Sequence, residues 1–106
     1  MKPGLVELER HRAGIEALCR KYGVKELRVF GSALREDWDP DRSDFDFAVV
    51  FDECPADMSL FLQRFGLSAE LEKVVGRPVD LLDLATSRKP SLRERIHANG
   101  HELYVA

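Results

Sequence analysis

Two aspartates separated by a single residue, Asp44 and Asp46, open the clearest alternating run in the chain. Side chains two apart on an extended strand share a face, so these carboxylates stand side by side. Such a pair repels itself unless water or a cation relieves it. The opposite positions, Phe45, Phe47, Val49 and Phe51, are all apolar, so the strand is too apolar to be a solvated edge. A divalent, oxygen-liking ion is the natural remedy, and Mg²⁺ favours carboxylates together with phosphate oxygens. Asp80, in a later hydrophobic–Asp–hydrophobic run, would add a third carboxylate, and three carboxylates can hold two metal ions for an in-line phosphoryl displacement. Gly31-Ser32 supplies a complementary chemistry. Glycine lets backbone amides approach a phosphate, and the serine hydroxyl adds a donor. A helical turn beginning near Ala33 would aim its N-terminal dipole at the same anion. Arg35, one turn along, carries a fork that fits a phosphate.

The elements that must position these groups follow from periodicity. Leu5, Leu8, Ile15, Leu18, Cys19 and Tyr22 recur near helical spacing and predict one helix over residues 5–22, stopped at Gly23. Residues 26–30 read as a strand with Leu27 and Val29 on one face, ended by Gly31-Ser32. Residues 33–42 are polar and acidic and read as a loop that opens with a helical turn. Residues 43–52 form the second strand. Leu60, Leu67, Leu71 and Val74 predict a helix over 59–75. Gly66 weakens it, because a mid-helix Gly costs about 1 kcal/mol relative to Ala. Gly76 closes it as a left-handed cap. Strand 79–84, helix 91–99 and strand 101–105 complete the order. Helix, strand, strand, helix, strand, helix, strand predicts an α/β sandwich: a small mixed sheet with one face covered by helices.

Length and composition bound the function. A chain of 106 residues fits one domain, 1–106, and is long enough to bury a core without disulfide or metal staples. Hydrophobic residues at 44% and charged residues at 33% give the balance of an ordinary soluble globule. The 16 basic residues are scattered among 19 acidic ones, for a net charge of −3. Tight grip on a nucleic-acid polymer rewards clustered Lys and Arg, so such a partner is not expected. The charged N-terminus lacks a signal-peptide apolar region, and no run approaches a membrane span. Two distant cysteines, Cys19 and Cys54, fit reduced thiols in the cytoplasm, with Cys19 a core residue.

Other signals are weaker. Asp83 competes with Asp80 as third carboxylate, but lies three residues away and so faces the other side of the strand. Asp37, Asp39 and Asp41 alternate like a calcium loop, yet the Gly and Glu it needs are replaced by Arg42 and Ala48. That loop reads as a solvated acidic turn, with Trp38 as an anchor or a partner contact. Asn99-Gly100 breaks any helix between His97 and His101, against a histidine metal pair. Arg88-Lys89 reads as a surface loop.

Taken together, Val29-Phe30-Gly31-Ser32-Ala33-Leu34-Arg35 and Ser43-Asp44-Phe45-Asp46-Phe47-Ala48-Val49 resemble the signature of the polymerase-β-like nucleotidyltransferases, and most of all the minimal stand-alone members of bacteria and archaea. Gly76-Arg77-Pro78-Val79-Asp80-Leu81-Leu82 resembles their third-carboxylate strand, and residues 96–105 their last strand. The resemblance implies the polymerase-β-like α/β (α+β) fold. Asp44 and Asp46 would hold two Mg²⁺ ions. Asp80 would hold the ion that activates the attacking hydroxyl, with a possible role as its base. Gly31, Ser32, Arg35 and Ser43 would bind the nucleotide, with ATP as donor. It further implies the antitoxin of a toxin–antitoxin pair, which transfers AMP to a tyrosine of an all-helical HEPN-type ribonuclease toxin, in a homo- or hetero-oligomer. Two departures stand out: Glu36 occupies a position that is often Gly, and the loop from Ser32 to Asp44 is one residue longer than usual. Two rivals remain, a small-molecule nucleotidyltransferase of the aminoglycoside type and a non-catalytic module that only binds the toxin. The spacing from Arg95 to His101 mimics a motif of such toxins, but lies in a tail without a helical bundle around it.

Overall fold

The computed structural model describes residues 2–39, 41, 44–86 and 90–106. Ser43, Arg42 and the Arg88-Lys89 pair lie outside the described residues. The elements run α1 (Pro3–Arg10), α2 (Arg12–Lys21), β1 (Val24–Phe30), a 3₁₀ turn (Gly31–Leu34), β2 (Phe45–Phe51), a π-helical segment (Leu62–Gly66) that leads into α3 (Leu67–Val75), β3 (Val79–Asp83), α4 (Pro90–Asn99) and β4 (His101–Val105).

The four strands form one sheet in the order β3-β2-β1-β4. β1 is antiparallel to β2 and to β4, and β2 is parallel to β3. The sheet is therefore mixed, as the order of elements predicts. The parallel pair requires a crossover, which α3 provides. The apolar face of β2, with Phe45, Phe47 and Val49 fully buried, packs with Leu27 and Val29 of β1 under Leu8, Ile15, Leu18, Cys19, Leu67 and Leu71. Burying side chains of this size stabilises by about 1.5–3 kcal/mol each, which fixes the pleat and so fixes which way Asp46 points. Burial pushes the Cys19 thiol up to about 12, as befits a core residue and not a nucleophile.

Three expectations need correction. The first helix is two: His11, with φ −108° and ψ 9°, separates α1 from α2. Glu9 to Gly14 carries no large apolar side chain that would hold one continuous axis. The break lets Arg12 clasp Glu9 at 2.7 and 2.6 Å and donate to the Leu103 carbonyl of β4 at 2.8 Å. Leu60 is not a core residue but is 62% exposed. The π segment inserts a wider turn and shifts the helical phase, so Gln63 takes the inward place and donates to the Tyr22 carbonyl at 2.9 Å. Gly66, the residue that weakened this helix on sequence grounds, lies against the Tyr22 ring. The second face of the sheet is also partly covered, because Ile96 and Leu92 of α4 pack on Ala48, Val50, Leu82 and Leu84.

Trp38 anchors the acidic loop: it is buried and stacks on Phe45 at 5.2 Å between ring centroids. Asp39 accepts from the Asp41 amide at 2.9 Å, a local turn of the kind short acidic side chains make. His97 faces Glu26 at 3.9 Å and His101 faces Glu9 at 3.5 Å, so the two histidines serve different acids.

Candidate active site

The end of β1, the 3₁₀ turn and the starts of β2 and β3 meet at one edge of the sheet. In the parallel β2–β3 ladder Asp46 is the direct partner of Asp80, and in the antiparallel ladder Phe30 is the partner of Asp46. Asp46 and Asp80 therefore project from the same face. Asp44 immediately precedes β2 and is exposed, as is Asp80, whereas Asp46 is half-buried. Burial first, then the Asp80 charge, then the Asp44 charge, push the Asp46 carboxyl above its ordinary range. Among the described residues no three His, Cys, Asp or Glu side chains close on a single point as a preformed metal cage. The three aspartates instead share a face and a field. As oxygen-only donors under mutual repulsion they fit a hard divalent cation that brings phosphate oxygens as its other ligands.

Gly31 adopts a left-handed conformation, φ +72°, and a Cβ built on it would lie 2.6 Å from Oδ2 of Asp46. Only glycine lets the chain turn here and lets the carboxylate lie against it. Ser32 is half-buried, and its hydroxyl donates to the Asp44 carbonyl at 3.4 Å, which ties the turn to the start of β2. The turn rests on α1, where the closely packed Gly4 would place a Cβ 2.6 Å from the Ala33 carbonyl. The helical turn begins at Gly31 itself and not near Ala33. Arg35 leaves it in an extended conformation, is exposed, and pairs with Asp37 at 3.3 Å. Glu36 is exposed on the same loop.

Asp83 is separated from this group by strand parity, as expected. It pairs with Val49 on the helix side of the sheet, accepts from Arg64 at 2.8 and 3.1 Å, and accepts from the Ala85 amide at 3.0 Å. The Arg64 bonds tie the end of β3 to the π-helical segment. Asp83→Asn is expected to cost about 1.5–3 kcal/mol in urea unfolding, the range for a hydrogen bond to a charged group, and to leave the nucleotidyl transfer that the resemblance implies within about twofold. Loss of that activity with unchanged stability would reverse the expectation of Asp80 over Asp83.

The chain matches the profile of a nucleotidyltransferase domain over residues 11–102. It belongs to the nucleotidyltransferase-domain family. This domain is similar to a solved chain described as a minimal nucleotidyltransferase, with 30% identity, a TM-score of 0.73 and 94% of each chain covered. It is similar to a chain of a toxin–antitoxin solved with AMP-PNP, at 25% identity and a TM-score of 0.67, over 90% of this chain and 73% of that one. A complex of a tri-AMPylated HEPN toxin with its MNT antitoxin from Shewanella oneidensis shares the fold, at 23% identity and a TM-score of 0.63, over 92% and 72% of the two chains. No curated relative matches closely. Among the described residues no helix of this nucleotidyltransferase domain is long and apolar enough to cross a membrane.

Sequence reasoning left one part of this edge unremarked. The last turns of α4 come back beside Gly31 and enclose a groove of about 240 Å³, lined by Phe30, Gly31, Leu34, Leu92, Arg95 and Asn99. The signal was a stripe at helical spacing in which Leu92 and Ile96 alternate with Arg95 and Asn99.

Proposed function

We propose that this nucleotidyltransferase domain transfers AMP from ATP to a hydroxyl, in the first place a tyrosine, of a HEPN-type toxin and so acts as its cytoplasmic antitoxin. The observation that carries the reading is the in-register pairing of Asp46 with Asp80, set against the open backbone of Gly31. Asp44 and Asp46 would hold two Mg²⁺ ions and Asp80 would share one of them. When bound, the ions neutralise the charge that builds on the phosphates and sharpen the attacking oxygen. Gly31 and Ser32 would receive the β- and γ-phosphates, with Ser43 and Arg35 alongside. The acceptor oxygen forms a bond to the α-phosphorus, and the bond from that phosphorus to the bridging oxygen breaks. Pyrophosphate leaves with the electron pair, and the hydroxyl proton passes to the Asp80 carboxylate and on to solvent.

A protein acceptor is supported by the exposed apolar ridge before α3. Leu60, Phe61 and Phe65 are 62%, 69% and 62% exposed, and the two phenylalanines stack at 4.4 Å between ring centroids. Ridges of this kind mark interaction surfaces. Residues 1–106 would then be a single catalytic domain that borrows its acceptor across a partner interface.

The test is intact-mass spectrometry of the protein with ATP, Mg²⁺ and the product of the adjacent gene. The expected result is a partner heavier by one or more AMP units, with no increase when EDTA replaces Mg²⁺. A stable complex whose partner keeps its mass would defeat the catalytic reading and leave a binding module.

A further inference from the structure

We infer that Arg77 is a positioning residue for the proposed metal site: stacked on Trp38 and Phe45 behind the strand, it fixes the start of β2 and so fixes Asp44. The inference rests on the proposed nucleotidyl transfer and adds a group that holds its carboxylates from the opposite face of the sheet.

Asp44 is the carboxylate most in need of support. Asp46 lies inside the sheet, paired with Phe30 on one side and with Asp80 on the other. Asp44 immediately precedes β2, is exposed, and among the described residues has no ladder partner. It shares a face with a like charge, which pushes the two apart. Two bonds reach the main chain here. The Ser32 hydroxyl donates to the Asp44 carbonyl at 3.4 Å, and the Phe45 amide donates to the Pro78 carbonyl at 3.2 Å. The remaining hold comes from the Phe45 side chain, which is fully buried on the face away from the two aspartates.

Phe45 is the inner member of a column. Trp38 stacks on it with the ring planes within 17° of each other. The Arg77 guanidinium carbon lies 4.7 Å from the centroid of Trp38 and 5.7 Å from that of Phe45, so one cation engages both rings. A cation within about 6 Å is drawn to the negative face of a ring, and the attraction grows where water is excluded. Trp38 is 6% exposed and Arg77 is half-buried. The planar guanidinium can lie flat on an aromatic face, which an ammonium cannot do. The column also closes through the backbone, because Arg77 directly precedes Pro78, whose carbonyl accepts from the Phe45 amide. Gly76, left-handed at the end of α3, turns the chain back to bring Arg77 there. The buried indole N–H of Trp38 has no hydrogen-bond partner among the described residues. Trp38 therefore contributes its ring at this place and not a hydrogen bond.

Trp38 is the single tryptophan of the chain, so its emission reads the column directly. Arg77→Ala is expected to shift that emission to longer wavelength in the folded protein, as water replaces the guanidinium on the ring. The second reading is the Mg²⁺ concentration that half-saturates binding of α,β-methylene-ATP, an analogue that cannot be cleaved at the reacting bond. It is measured by titration calorimetry at a series of fixed Mg²⁺ concentrations, below the melting transition of every variant. Arg77→Ala and Arg77→Gln, which keeps most of the stem and loses the charge, are expected to raise it by about 3- to 30-fold, the worth of a partly buried cation–π contact. Arg77→Lys is expected to raise it by less. Asp83→Asn, a variant destabilised on the neighbouring strand away from the column, is expected to stay within about twofold of wild type. An unshifted Trp38 emission, a Mg²⁺ requirement unchanged by Arg77→Gln, or an equal rise in Asp83→Asn would overturn the inference while leaving the transferase reading intact. A wild-type protein that binds no Mg²⁺-analogue at all would instead overturn the transferase reading, and this inference with it.

Discussion

Asp46→Asn is expected to eliminate nucleotidyl transfer and, in the same molecule, to raise the melting temperature. The two effects share one cause. Burial and the Asp80 and Asp44 charges push the Asp46 carboxyl upward, so the folded protein disfavours the very charge that metal binding requires. A carboxyl raised on folding binds its proton more tightly in the native state, and its ionised form therefore costs stability above the folded value. That cost shrinks as the pH falls through the folded value and is gone below the ordinary value of 3.8. Asparagine removes the charge at nearly constant volume. At pH 7 without divalent ions the variant is expected to melt above wild type. The gain should vanish near pH 3.5, because the wild-type side chain is then neutral as well (about the ordinary carboxylate range). Mg²⁺ should reverse the order at pH 7, because the proposed metal site would bind it in wild type and would have lost a ligand in the variant. Transfer should fall by about a thousandfold or more, in keeping with the several kcal/mol that bound metal contributes to a charged transition state. Thermal unfolding at two pH values, with and without Mg²⁺, reads all of this. A variant that melts below wild type at pH 7 in EDTA would show that the aspartates do not repel as described.

The alternation of β2 carried most of the legible information. Period two and a wholly apolar odd face determine which way Asp46 points, and parity alone separates Asp80 from Asp83. The mixed sheet followed from the order of elements, and β4 begins and ends where the pattern puts it. What escaped sequence reasoning depends on contacts between distant residues. The phase shift that turns Leu60 outward comes with the Gln63 bond to the Tyr22 carbonyl and the packing of Gly66 on the Tyr22 ring. Neither contact leaves a mark on the local hydrophobic period. The break at His11 likewise serves Arg12, whose partner carbonyl lies in the last strand. Arg95 was visible only as part of a spacing that meant nothing in context. Its place beside Gly31 emerges when α4 crosses the second face of the sheet and β4 pairs with β1.

Those long-range contacts converge on the same edge. α1 supports the 3₁₀ turn through the tight approach of Gly4 to Ala33, and Trp38 pins the following loop to Phe45, the residue between the two aspartates. The core thus reaches the chemistry through two short paths, one under Gly31-Ser32 and one under Asp44-Phe45-Asp46. The loop between them can lengthen by a residue at little cost, as it does here, because both of its ends are fixed.

Gly31→Ala tests that arrangement at its tightest point and is expected to damage function far more than stability. An alanine at φ +72° carries the left-handed penalty of about 1–2 kcal/mol. Its Cβ would also lie 2.6 Å from Oδ2 of Asp46, closer than any stable contact. The oxygen is the far end of a rotatable side chain, so the clash is relieved by swinging the carboxylate aside and not by unfolding the strand. Displacing the carboxylate of the proposed metal site by about 1 Å is expected to lower transfer by about 100-fold or more. Urea unfolding should show a loss near 1–2 kcal/mol, set by backbone strain, in wild type and nearly the same loss in an Asp46→Ala background. Transfer should respond differently, because Gly31→Ala has little left to damage once Asp46 is gone. A variant that keeps wild-type transfer would mean that the Asp46 carboxylate does not need the place beside Gly31. A stability loss that halves when Asp46 is removed would mean that the clash is borne by the backbone, and that the turn is more rigid than the rotation of one side chain implies.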